Sequence, residues 1–267
     1  MSLCPVCGKN EIGEVEGGAW LPVCESCQNK PIEHTEKKEA EPIIERQPSI
    51  SENMAGMQRL FVETLNIEPK IIYYPSCDVD ASPTEGFPNS QVFFVDKNPE
   101  AIAVLKKGGL QAECADVNNF VLPESADVVI LLNPAVRPDG PIKNLKVGGH
   151  VLCNDWHKTA TQMREYKNFK LVGIINTLND VKKTKAVFDK DNLDLYWQRV
   201  ETDEDFEAVD PSFYSYVKGK IDKKLGPGHS AIENIGKVLC IGLPHKNGHH
   251  MDDMFIFEKI DDDKETK

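Results

Sequence analysis

Four cysteines near the amino end, Cys4, Cys7, Cys24 and Cys27, form two Cys-x-x-Cys pairs, CPVC and CESC. Each pair presents two thiolates from one tight turn, and two pairs supply the four soft ligands that tetrahedral zinc takes. Gly8 suits the turn after the first pair, because glycine accepts positive φ. Four thiolates close the coordination shell, so the spacing predicts a structural Zn2+ site and no catalysis at the metal. A segment this short has almost no core, and the metal would supply its folding energy. A second set of polar residues stands at the ends of apolar runs. Asp78 and Asp80 follow Ile71–Tyr74, Asp96 ends Val92–Val95, Asp116 follows Leu110–Cys114, and Asn133-Pro134 ends Ala126–Leu132. A carboxylate at a strand end can accept from a diol or meet an ammonium group.

The elements that must position these groups are legible as apolar runs of strand length. Ala126–Leu132, ADVVILL, is apolar on both parities, as expected of a strand buried on both faces. Asn98-Pro99-Glu100 has the cap, proline and early acid of a helix start, and Gly108-Gly109 stops that helix. Strands at Gly148–Cys153 and Phe169–Ile175 flank a helix at Thr159–Tyr166. The alternation predicts an α/β fold with a doubly wound, mostly parallel sheet. Ser51 caps a helix whose Met54, Met57, Leu60, Phe61 and Leu65 recur at helical spacing.

Around this core the chain divides into 1–30 for the cysteine module, 31–50 for a charged, proline-punctuated linker, 51–200 for the sheet domain, and 201–267 for a helical and strand extension. Within the extension, Thr202–Asp210 reads as an acidic connector and Met254–Ile260 as a final edge strand. Ala186–Phe188 and Leu195–Val200 read as a hairpin completing the sheet.

The 267 residues carry a formal net charge of −12, and the lysine pairs are isolated, which disfavours bulk nucleic acid as a partner. No apolar run reaches the roughly 20 residues of a membrane span, and the first residues lack a signal-peptide pattern, so the expected location is the cytoplasm. There clustered cysteines mean metal more often than disulfides. Small molecules or proteins are the expected substrates and docking partners.

The cysteine pairs resemble those of zinc ribbons. The strand-end residues of 51–200 resemble those of class I S-adenosylmethionine-dependent methyltransferases. That resemblance implies a cofactor, S-adenosylmethionine, cradled by the loop Pro75–Gly86 with Ser76, Asp78 and Asp80. It implies Asp96 on the ribose hydroxyls, Asp116 with Val117 at the adenine, and Asn133 with Pro134 facing the methyl group as the catalytic motif. The loop PSCDVDASPTEG departs from the family's glycine-rich pattern, and Asn-Pro-Ala-Val lacks the aromatic residue usual in amino-group methylation. Two readings follow: a methyltransferase of unknown acceptor, or a catalytically inactive methyltransferase-like scaffold. His157 as a base, and a second metal site of His245, His249, His250, Asp252 and Asp253, are lesser expectations, weighed against a helix-start histidine and an exposed polar loop.

Overall fold

A computed structural model describes residues 2–3, 11–12, 46–134, 136–176, 186–191, 193–239, 243–244 and 253–261. The chain forms two compact units, Met1–Glu45 and Arg46–Lys267. In the first, β1 (Ser2–Leu3) pairs antiparallel with β2 (Glu11–Ile12), Ser2 opposite Ile12 and Leu3 opposite Glu11. These strands lie on either side of Cys4 and Cys7 in sequence. The four cysteines themselves lie outside the described residues.

The second unit is built on one eight-stranded sheet. Helix α1 (Glu52–Leu65) precedes β3 (Ile71–Pro75), and a single helical turn, α2 (Pro83–Gly86), leads to β4 (Gln91–Asp96). Helix α3 (Pro99–Lys107), β5 (Ala112–Cys114) and β6 (Ala126–Leu131) follow. Then come β7 (Leu145–Cys153), α4 (Thr159–Met163), β8 (Phe169–Asn176) and β9 (Val187–Asp189). Helices α5 (Asp203–Val209), α6 (Pro211–Leu225) and α7 (Ala231–Val238) precede the last strand, β10 (Met254–Lys259). The strand order is β5-β4-β3-β6-β7-β10-β8-β9. Neighbours from β5 to β7 are parallel. The doubly wound, mostly parallel sheet is therefore present, and its order reverses between β3 and β6.

The two faces of the sheet bury alternate residues. Ile72, Tyr74, Val128 and Ile130 pack with Met57 and Phe61 of α1 and Leu105 of α3. Tyr73, Val129, Leu131 and Cys153 pack on the other face with Ala160 and Met163 of α4. Burial on both sides is why ADVVILL has no polar alternation.

Several expectations need correction. Met254–Ile260 is no edge strand. β10 runs antiparallel between β7 and β8, with Ile256 opposite Leu152 on one side and Gly173 on the other. Its MFIFEK sequence, buried at five of six positions, suits an interior place. The unit consequently does not divide at residue 200, because its final strand completes the middle of its sheet. At the other end, 46–50 joins the fold and not the linker: the Ser49 N–H donates to the Val79 carbonyl at 2.8 Å, and the Ala81 N–H donates to the Ser49 carbonyl at 2.7 Å. Asp203–Val209 is helical, not a connector. Thr202 accepts from the Asp205 N–H at 3.0 Å, and three acids in the first turn face the positive end of the helix dipole. Leu193–Trp197 is a 3-10 turn where a strand was expected.

Candidate functional site at the carboxyl rim

In an open α/β sheet, ligands sit outside the carboxyl ends of the strands where the order reverses. Here that crevice lies between the loops leaving β3 and β6. Five non-glycine residues among those described have positive φ, and four of them stand in loops at this rim: Ser76 (54°), Asp78 (46°), Asn133 (49°) and Lys158 (59°). The fifth, Asn66, caps the end of α1. A left-handed conformation in a non-glycine residue costs about 1–3 kcal/mol, and such strain gathers at ligand sites. The β3 loop thus takes, without glycines, the turns for which glycine is the usual choice.

Asp96 is the keystone of the crevice. It ends β4, is half-buried, and accepts from the Asp78 N–H at 3.0 Å and the Asn98 N–H at 2.8 Å. The Ser76 N–H donates to the Val95 carbonyl at 2.8 Å. Together these bonds fasten the β3 loop to the end of β4. Each carboxylate oxygen keeps a second lone pair.

The structure distributes the other expected site residues unevenly. Asp78 is exposed and pairs with Arg46 at 2.9 Å. Asp80 is spent on the fold, since its carboxylate accepts from the Tyr74 hydroxyl at 2.8 Å, the Ser82 N–H at 2.9 Å and the Ser82 hydroxyl. Asp116 is exposed and accepts from the Asn118 N–H at 3.0 Å, with the side-chain amides of Asn118 and Asn119 adding bonds. Those bonds, the Asn118 N–H foremost, hold its carboxyl below the usual carboxylate range. Val117 is buried in the core and offers little side-chain surface to a ligand. Asn133 is exposed and exchanges bonds with buried Asn154: the Asn133 N–H donates to Asn154 Oδ1 at 3.1 Å, and Asn154 Nδ2 donates to Asn133 Oδ1 at 2.9 Å. Pro134 is buried. Cys77 is buried, and burial pushes its thiol well above the ordinary range, which leaves it an inert core group.

Two features escaped sequence reading. Tyr73 is fully buried, and its hydroxyl has no partner among the described residues. Its ring stacks on Phe120 at 5.9 Å. Burial raises its pKa well above the tyrosine value, with nearby Cys77 and Asp116 pushing the same way. The second feature is a buried ion pair. Asp155, fully buried, meets Arg199 and accepts from the Thr161 N–H at 2.8 Å and hydroxyl at 2.9 Å. Arg199 Nη1 also donates to the Leu243 carbonyl at 2.9 Å. Asp155 was visible in sequence, but no local pattern ties it to an arginine 44 residues away.

Neither metal expectation gains a structural reading. Residues 245–252 lie outside the described residues, and among the described residues no cluster of three metal-ligating side chains occurs. Among them, too, no helix is long and apolar enough to cross a membrane. A cleft of about 620 Å³, lined by residues including Glu63, Asn66, Lys70, Gly86 and Ser90, lies by the amino ends of β3 and β4, away from the rim.

No family model matches this chain, and no curated protein does. Solved structures that it resembles include the sugar N-methyltransferase KedS8 from Streptoalloteichus sp ATCC 53650, at 18% identity and a TM-score of 0.35 over 45% of this chain and 55% of that one. The N-methyltransferase NodS from Bradyrhizobium japonicum WM9, in complex with S-adenosyl-l-homocysteine, matches at 18% and 0.33 over 40% and 63%. CalS10, an amino pentose methyltransferase from Micromonospora echinaspora, matches at 15% and 0.34 over 38% and 49%. The match spans less than two thirds of each of these three solved chains, and the activity of this chain has to be argued from its own residues.

Proposed function

We propose that the chain binds S-adenosylmethionine in the crevice between β3 and β6 and acts as a methyltransferase-like protein. The observation that carries this is the gathering of left-handed, non-glycine backbone at Ser76, Asp78 and Asn133, on both sides of the point where the strand order reverses. The residues present fit the group. Asp96 retains acceptor capacity suited to a ribose diol, and Ser76 and Asp78 form the turn beside it. The Tyr73 hydroxyl is a buried polar atom without a partner among the described residues, and Asp116 stands on the loop that follows β5. The cofactor's ammonium and sulfonium charges suit an acidic rim. When bound, S-adenosylmethionine supplies an activated methyl group. Asn133, held by Asn154, would border that group, with Pro134 fixing the backbone behind it.

A second reading, binding without transfer, is favoured by one observation: the Asn133 side-chain carbonyl is already occupied by Asn154. Calorimetry of the purified protein with S-adenosylmethionine and S-adenosylhomocysteine tests what both readings share. One-site binding is expected, and no detectable heat at millimolar ligand refutes them together.

At the amino end we infer a structural Zn2+ held by Cys4, Cys7, Cys24 and Cys27, in a ribbon that docks substrate or partner. The donor set supports it, as does the β1–β2 pairing on either side of the first knuckle. A reducing, cytoplasmic setting would keep those thiols available to metal. Elemental analysis should find about one zinc per chain, lost in a Cys4→Ser/Cys24→Ser variant; metal retained by that variant rejects the assignment.

A further inference from the structure

Further along the rim, past Asn133, a second concavity of about 330 Å³ is lined by Trp156, Phe213, Tyr216 and Leu239. Trp156 follows β7 by three residues. Phe213 and Tyr216 belong to α6, and Leu239 follows α7. Phe213 and Tyr216 are near-parallel, 15° apart with centroids at 6.3 Å, and Trp156 meets Phe213 edge-on at 79° and 6.1 Å. Tyr216 is 54% exposed. Large aromatic surfaces left in contact with water mark binding sites more often than scattered aliphatic ones do.

The walls are held from behind. The Asp155–Arg199 pair and the Arg199 bond to the Leu243 carbonyl tie the residue next to Trp156 to the segment that follows α7. Phe206, Val217, Ile221 and Ile235 form the small core beneath α6 and α7, against which Trp156 and Phe213 pack. The cleft is also linked to the crevice. Asn154, which bonds Asn133, is two residues before Trp156, and adjacent strands lie about 4.8 Å apart. A group seated on Trp156 would neighbour the place where Asn133 borders a methyl donor.

The lining selects the chemistry of the occupant. None of its four residues carries a carboxylate, although the chain is strongly acidic. Two charges stand beside its wall: the Asp210 carboxylate, which accepts from the Phe213 N–H at 3.0 Å as the cap of α6, and Lys220, whose Nζ lies 5.4 Å from the Tyr216 ring centroid and is exposed. Parallel rings with a third ring set edge-on offer a flat guest one face to stack on and one edge to abut.

We propose that this cleft binds a planar aromatic group bearing an anionic substituent, the ring on Trp156, Phe213 and Tyr216 and the anion toward Lys220, as the acceptor site of the methyltransferase-like reading on which the proposal rests. The test uses 2-naphthoate as probe, with 2-naphthalenemethanol and cyclohexanecarboxylate as comparisons, by calorimetry on the full chain without cofactor. One 2-naphthoate per chain is expected to bind. Trp156→Ala and, independently, Tyr216→Ala should each weaken it about fivefold or more. Lys220→Gln should weaken 2-naphthoate about threefold and leave 2-naphthalenemethanol unchanged. Absence of saturable binding at millimolar probe, equal affinity for cyclohexanecarboxylate, or wild-type affinity in a folded Tyr216→Ala variant would each overturn the proposal. Because no cofactor is present, a chain that binds 2-naphthoate but not S-adenosylmethionine refutes the cofactor assignment alone, and the converse refutes the cleft alone.

Discussion

Replacing Asp96 by alanine should damage the rim before any ligand is added. The carboxylate accepts two backbone N–H groups, from Asp78 at 3.0 Å and Asn98 at 2.8 Å. A hydrogen bond to a charged group contributes about 1.5–3 kcal/mol net, so two such bonds lost outright would cost about 3–6 kcal/mol. Asp96 is only half-buried, and water can reach part of what alanine uncovers. The expected loss is therefore about 2–4 kcal/mol. The Asp78 bond holds a residue whose left-handed backbone is itself costly, so its loss should also loosen the β3 loop. Urea unfolding followed by far-ultraviolet circular dichroism measures the difference directly. Repeating it with S-adenosylmethionine at a hundred times its dissociation constant should add about 2.7 kcal/mol to the wild type. Asp96→Ala should gain far less at the same concentration. A loss below about 1 kcal/mol without ligand would show that the two N–H bonds do not hold the rim as described. An undiminished increment with ligand would show that Asp96 does not touch it.

Ser76→Gly should stabilise the chain by up to about 1 kcal/mol in the same urea experiment, since glycine relieves the 54° φ; unchanged or lower stability would argue against strain there. Arg199→Met should cost about 3 kcal/mol by leaving fully buried Asp155 without its cation, and adding Asp155→Asn should recover part of that loss; thermal unfolding of the two variants decides. Burial would raise the Asp203 pKa, but the N–H groups of Ala231 and Ile232 and the Ser230 hydroxyl outweigh it and hold the carboxyl below its usual value. Its contribution is therefore complete above the unfolded carboxylate value near 4 and lost as pH falls through the lower folded value. Asp203→Asn should flatten that part of the acid limb of a stability-against-pH curve, and an unchanged limb would count against the assignment.

Much of the frame was written locally. Strand runs such as ADVVILL and the Asn98-Pro99-Glu100 helix start depend on neighbours a few residues away, and periodicity and capping express them directly. The strand-end position of Asp96 is of the same kind. Its role in the fold is not, because Asp78, the loop residue whose N–H it holds, stands 18 residues earlier. The lack of a glycine cluster in PSCDVDASPTEG suggests a loop unable to make left-handed turns; tertiary bonds to Asp96 and Val95 impose them on Ser76 and Asp78 all the same. The place of β10 was equally out of reach. An apolar hexamer has the same composition at an edge or in the middle of a sheet, and only the gap between β7 and β8 decides which. By itself the sequence determined the strands and helices from α1 to β8, the run of polar residues at strand ends and the four-cysteine donor set, because these rest on spacing along the chain. Tertiary structure alone decided which acids are spent on the fold, where the buried Asp155–Arg199 pair forms, and that Trp156 meets α6 in an aromatic cleft. The ion pair and the cleft join residues separated by tens of positions, and the free energy of burial and pairing that selects them exists only once the sheet has closed.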